Sequence, residues 1–102
     1  MFEQTGGMFR ATYNERITEV ATGGHGRPTA WTWRGRRYAG GDVVEQWVTS
    51  EEWWRDLEAL APGAPASVRH FVLHATSEQG TGRVELARDD ATMIWRLIGV
   101  LD

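Results

Sequence analysis

The string Thr29 to Tyr38, Thr-Ala-Trp-Thr-Trp-Arg-Gly-Arg-Arg-Tyr, constrains the fold more than any other stretch of this 102-residue chain. Trp31 and Trp33 alternate with smaller or polar residues, so both indoles point to one face of a strand. Gly35 and Arg36 read as a two-residue hairpin turn of the Gly-X kind, in which glycine supplies the positive φ. That register sets Trp33 opposite Tyr38 and Arg34 opposite Arg37. The aromatic pair is favourable and the like-charge pair is not. The two arginines then need a counter-charge. An internal source is Glu45, or Glu51 and Glu52; an external one is a phosphate backbone or an acidic partner. The hairpin tip is expected to project into solvent, which favours the external source.

The rest of the chain reads as strands arranged around this hairpin. Phe9 to Ala21, with Tyr13, Ile17 and Val20, reads as one strand broken near Asn14. Gly23 to Pro28 is a loop by composition. No Gly-Lys-Ser/Thr follows its glycines, so it is no phosphate loop. Gly40-Gly41 marks a bulge or bend. Val43 to Val48 fits a strand and a helix equally well. Val44, Gln46 and Val48 would line one strand face, whereas Val43, Val44 and Trp47 have helical spacing. Val68 to Ala75 alternates cleanly, Ser77 to Gly82 is a turn cluster, and Arg83 to Arg88 alternates with Val84 and Leu86 inward. Asp89-Asp90 turns the chain. Met93 to Leu101 is apolar on both faces, as in a central strand or one rolled into a barrel. Trp33 and Trp95 are expected to be largely buried.

One segment is helical by pattern. Thr49 and Glu52 have the form of a capping box, and Trp53, Leu57 and Leu60 share a face within Ser50 to Leu60. Ala61 to Pro65 ends that helix as a stiff linker. The expected fold is therefore mainly β, bordering on α+β. It is a small curled antiparallel sheet or barrel of five to six strands with one short helix. Residues 9–102 form a single domain behind an arm at 1–8 that has no periodicity.

Several function classes are set aside at this stage. Cysteine is absent, so there is neither a disulfide framework nor a thiolate metal site. Met1 to Met8 lacks the basic start and apolar run of a leader, and no stretch approaches a membrane span. The expectation is a cytoplasmic protein with no membrane contact. His70 and His74 share one face of a strand roughly 13 Å apart, too far to grip one ion. They are expected to be two partly exposed sheet histidines. Ser50, Ser67 and Ser77 lie in no Gly-x-Ser-x-Gly elbow. No catalytic residue, cofactor or metal is expected.

Charge and aromatic content point instead to a binding surface. Ala21 to Gly41 carries Arg27, Arg34, Arg36 and Arg37 and no acid, whereas Asp42 to Leu60 carries six acids against Arg55. The chain holds six tryptophans. Most belong to a core, but adjacent Trp53 and Trp54 point about 100° apart on a helix, leaving one half exposed. Arginines interleaved with aromatics bind single-stranded nucleic acid through phosphate pairing and base stacking. The same side chains are favoured at protein interfaces. The candidate contact residues are Arg34, Arg36, Arg37, Tyr38, Trp54 and Arg55.

The pattern Tyr13-x-x-x-Ile17-x-x-Val20, Trp31-x-Trp33-Arg34-Gly35-Arg36-x-Tyr38, Val43-Val44-x-x-Trp47 and Trp53-Trp54 resembles a family of small bacterial domains of unknown function. The closing Val84 to Asp89 and Trp95-Arg96-Leu97 fit it too. The resemblance implies a distribution in actinobacteria and the Thermus-Deinococcus group. It also implies an association, for some members, with proteins of inducible translesion DNA synthesis. The reading that follows is a non-enzymatic accessory domain for DNA-transaction proteins, contacting nucleic acid or a partner protein through the hairpin. The alternative is a small-molecule-binding barrel with a tryptophan-lined cavity. A hydrolase using His70 or His74 ranks last.

Overall fold

A computed structural model describes residues 11–49 and 67–101. They form six strands: β1 (Ala11–Thr22), β2 (Pro28–Trp33), β3 (Arg36–Thr49), β4 (Val68–Ser77), β5 (Gly80–Asp89) and β6 (Trp95–Val100). Each pairs antiparallel with the next, and β6 returns to β1, closing a barrel. The mainly β expectation holds, in its barrel form. Among the described residues the helical content is a 3-10 turn at Gly24–Gly26. The expected helix over Ser50 to Leu60 and the arm at 1–8 lie outside the described residues. Residues 43–48, open between strand and helix from sequence, continue β3 as strand.

Two strands bend to close the barrel, each by changing partners midway. Ala11 to Ile17 of β1 pairs with β6, and Thr18 to Thr22 pairs with β2. Asn14 and Glu19 both stand at φ 53, beside the places where the β1 register slips. Extra residues of this kind kink a strand and tighten its twist, which rolls a flat sheet into a barrel. The break expected near Asn14 is one of them. β3 hands over at Gly40, pairing with β2 through Arg36–Ala39 and with β4 from Ala39 onward. A Cβ on Gly40 would fall 2.5 Å from the Pro28 carbonyl oxygen and 3.1 Å from the Trp31 and Leu73 side chains. Only glycine lets β3 cross so close to the start of β2.

Alternation along the strands fills the interior. Ile17, Trp31, Phe71, Leu73, Val84, Leu86, Trp95 and Leu97 form one buried cluster. Phe71 and Trp95 pack with ring centroids 5.6 Å apart. Trp95 is 6 % exposed, as expected. Trp33 is only half-buried, against expectation, because it stands at the barrel mouth and its indole N–H needs a polar partner there. The opposite face of β4, β5 and β6 carries a second buried cluster, Val68, Ala87 and Ile98. No helix among the described residues is long and apolar enough to cross a membrane.

Candidate binding site at the barrel mouth

The β2–β3 hairpin turns one residue earlier than the sequence suggests. Arg34 and Gly35 are the two central residues, at φ 53 and 75, the type I′ pattern whose twist matches that of the flanking strands. The register is Trp31↔Tyr38, Thr32↔Arg37 and Trp33↔Arg36. The expected pairs Trp33–Tyr38 and Arg34–Arg37 are therefore corrected by one position, and no arginine faces another across this hairpin. Trp31 and Tyr38 stack nearly parallel, 8° apart, with centroids at 6.1 Å.

Arg34 finds its counter-charge inside the chain, at a residue none of the sequence alternatives included. Its Nε donates to Glu15 Oε1 at 2.9 Å and its Nη2 to Oε2, a two-point contact from the turn to β1. Trp33 Nε1 donates to the same Oε1 at 2.9 Å. The guanidinium also lies over the Trp33 and Tyr13 rings, 4.8 and 5.1 Å from their centroids. The Arg34 hydrogen bond and then that of Trp33 hold the Glu15 carboxyl below its ordinary value; the same bond raises Arg34. Arg37 donates to the Glu19 carbonyl at 2.7 Å and to Thr32 Oγ1 at 3.2 Å, while the Thr32 hydroxyl donates to Glu19 Oε1. Arg34 and Arg37 thus tie the hairpin to β1.

Arg36 and Tyr38 are placed differently. Both share the face of Trp31 and Trp33, since each is directly opposite one of them. Arg36 makes no ion pair or side-chain hydrogen bond among the described residues. Trp54 and Arg55, the remaining candidates, lie outside the described residues.

Trp33 and Tyr38, with the buried Trp31 stacked on Tyr38, form one wall of an open cavity of about 230 Å³ at this end of the barrel. Ser77, Gln79 and Thr81, from the β4–β5 turn, form the rim across from them. Val84 and Leu97 contribute to an apolar floor, and among the described residues no charged side chain lines the space. Such a site offers flat π-faces to a ring and neutral donors and acceptors to its edge. Sequence reasoning found the three aromatics but not the rim. The rim depends on where β4 and β5 end in space, which no local pattern encodes.

The histidines separate. His74 is exposed, whereas His70 is buried, a correction to the expected pair of half-exposed residues. His70 Nδ1 donates to Glu85 Oε2 at 2.9 Å, and in the neutral ring Nε2 accepts from the Thr49 hydroxyl at 2.9 Å. The Trp47 ring stacks on the imidazole, 2° from parallel. The order hydroxyl, imidazole, carboxylate is that of a nucleophile, its base and an orienting acid. Neither the mouth nor the groove between β1 and Trp95 is lined by these residues. The chain of bonds ties β3, β4 and β5 together. Among the described residues, no group of three or more His, Asp and Glu side chains is placed to hold a metal ion.

No curated protein and no solved structure matches the chain. A family model described as a domain of unknown function (DUF6504) matches residues 10–102, and the chain belongs to that family.

Proposed function

We propose that this domain is a non-enzymatic binding module that takes one unpaired base of a single-stranded nucleic acid into its barrel mouth. The observation that carries the reading is the aromatic wall of Trp33 and Tyr38, backed by the buried Trp31, around a cavity of about 230 Å³. Sites for drug-sized ligands run about 300–1,000 Å³; this one has room for a single ring system. Stacking on such a wall is worth about 1–3 kcal/mol per base and tolerates any base. Arg36, next along the same face, supplies a cation for the adjoining phosphate. In this reading the domain works in the cytoplasm as an accessory to DNA-transaction proteins, in keeping with the association of some members of the family it resembles with translesion DNA synthesis.

A second reading, favoured by the cavity's neutral lining, is a free small molecule with one flat ring and a polar edge. Titration of tryptophan fluorescence with a short single-stranded oligonucleotide separates the two. The first reading expects saturable quenching that weakens with salt, and Tyr38→Ala and Arg36→Ala variants that fold normally but bind less. Arg36→Ala should also lower the salt slope by about 0.7, the share of one phosphate on a single strand. Binding of a free nucleoside as tight as that of the oligonucleotide supports the second reading. No binding of either removes both.

A further inference from the structure

We propose that the β4–β5 turn reads the edge of the base held in the mouth, with the Gln79 carboxamide as the reader, so that the site accepts any base. The proposal rests on the base-binding reading above and adds which residues meet the ligand's edge. The recess beside the aromatic wall is made by small residues. Ala75 stands opposite Gly82 and Ser77 opposite Gly80, and directly opposed residues share a face. Ala75 belongs to the inner cluster, so all four positions face into the barrel. All four line the cavity. The Ala39↔Thr76 pair sets Tyr38 beside Ser77, one step nearer the mouth. A ring stacked on Tyr38 therefore turns an edge toward Ser77 and the turn that follows it.

Two polar side chains meet that edge. Ser77 Oγ accepts the Gln79 backbone N–H at 3.2 Å, which fixes the turn and leaves the hydroxyl proton to donate. The Gln79 carboxamide makes no hydrogen bond among the described residues. The Thr81 hydroxyl is turned to Thr76 Oγ1, 3.1 Å away. A carboxamide carries a donor beside an acceptor and can turn over to exchange them. Every base presents such a neighbouring pair on its Watson–Crick edge: N6–H and N1 of adenine, N4–H and N3 of cytosine, O6 and N1–H of guanine, O4 and N3–H of thymine. One glutamine thus fits all four with two hydrogen bonds, and stacking on Trp33 and Tyr38 is equally tolerant. A carboxylate at the same position only accepts. It suits guanine, whose N1–H and N2–H are adjacent donors, and meets an unpaired acceptor beside the single donor of thymine.

The probe is a short abasic single strand that carries one base, so that the ligands differ in that base alone. Quenching of tryptophan fluorescence in the full chain should give wild-type affinities for the four bases within about threefold of one another. Gln79→Glu should raise the ratio of guanine to thymine affinity about tenfold, the scale of one two-point base contact. The ratio is the readout because the added negative charge repels every strand alike. Gln79→Leu should weaken all four bases about tenfold. Gln79 is exposed at the turn, so both variants should keep the wild-type thermal midpoint. An unchanged ratio in Gln79→Glu, or full affinity in Gln79→Leu, overturns the proposal and leaves the base reading standing. A wild-type preference of about tenfold for one base does the same. Base-bearing strands that bind no tighter than the fully abasic strand remove the base reading and the proposal with it.

Discussion

Glu15 holds two residues of the hairpin with one carboxylate, and its titration gives that contact a pH signature. Its folded value lies below the ordinary 4.5 because Arg34 and Trp33 donate to it. A carboxyl lowered on folding stabilises the folded state above its unfolded value and loses that contribution as pH falls through the lower, folded one. Wild type should therefore melt higher than Glu15→Gln at neutral pH, with the gap closing below about pH 4.5. A gap that stays constant with pH would mean that the ionised carboxylate is not what Arg34 recognises. His70 makes a different forecast. Removing it in His70→Leu strands Glu85, itself 6 % exposed, and should cost about 3–5 kcal/mol in denaturant unfolding. The double variant with Glu85→Leu should recover much of that loss, because a buried pair replaced by apolar side chains is often neutral.

At the scale of elements, the hairpin shows what a local pattern can and cannot settle. Trp31, Trp33 and Tyr38 were readable as an aromatic face, because alternation fixes which residues share a side. The turn was not. Gly35 can be the first or second residue of a two-residue turn, and the choice here rests on Arg34 accepting a positive φ. Glu15, distant in the chain, holds Arg34 in that conformation. The burial of His70 was missed for the same reason, since its partners Thr49 and Glu85 come from the neighbouring strands. Bends were better signalled: Asn14 and the Gly40-Gly41 pair both stand where the ladder slips. Arg34→Ala combined with Arg37→Ala should lower the melting temperature and leave oligonucleotide affinity nearly unchanged, since both side chains serve the scaffold. Gly40→Ala should cost about 1–3 kcal/mol through its clash with the Pro28 carbonyl. Gly24→Ala, with open space at its Cβ, is the control expected to be near neutral.

For the whole molecule, barrel closure explains both the core and the mouth. Staggered strands that change partners leave the interior filled at the level of Phe71, Leu86 and Trp95 and open where β2 and β4 end and β5 begins. Trp95→Ala should remove about 3–5 kcal/mol of stability by emptying the filled level. Most of the strands were readable from alternation, residues 43–48 excepted, whereas the cavity was not, because it is the space left by the way the strands end. The indole N–H resonances of the tryptophans test the central claim, that ligand enters at this mouth, most directly. Adding a short single-stranded oligonucleotide should shift the signals of Trp31 and Trp33 and leave Trp95, in the core, and Trp47, on the outer face, where they were. Unmoved Trp31 and Trp33 signals at saturating oligonucleotide, or a response confined to Trp47, would contradict the account.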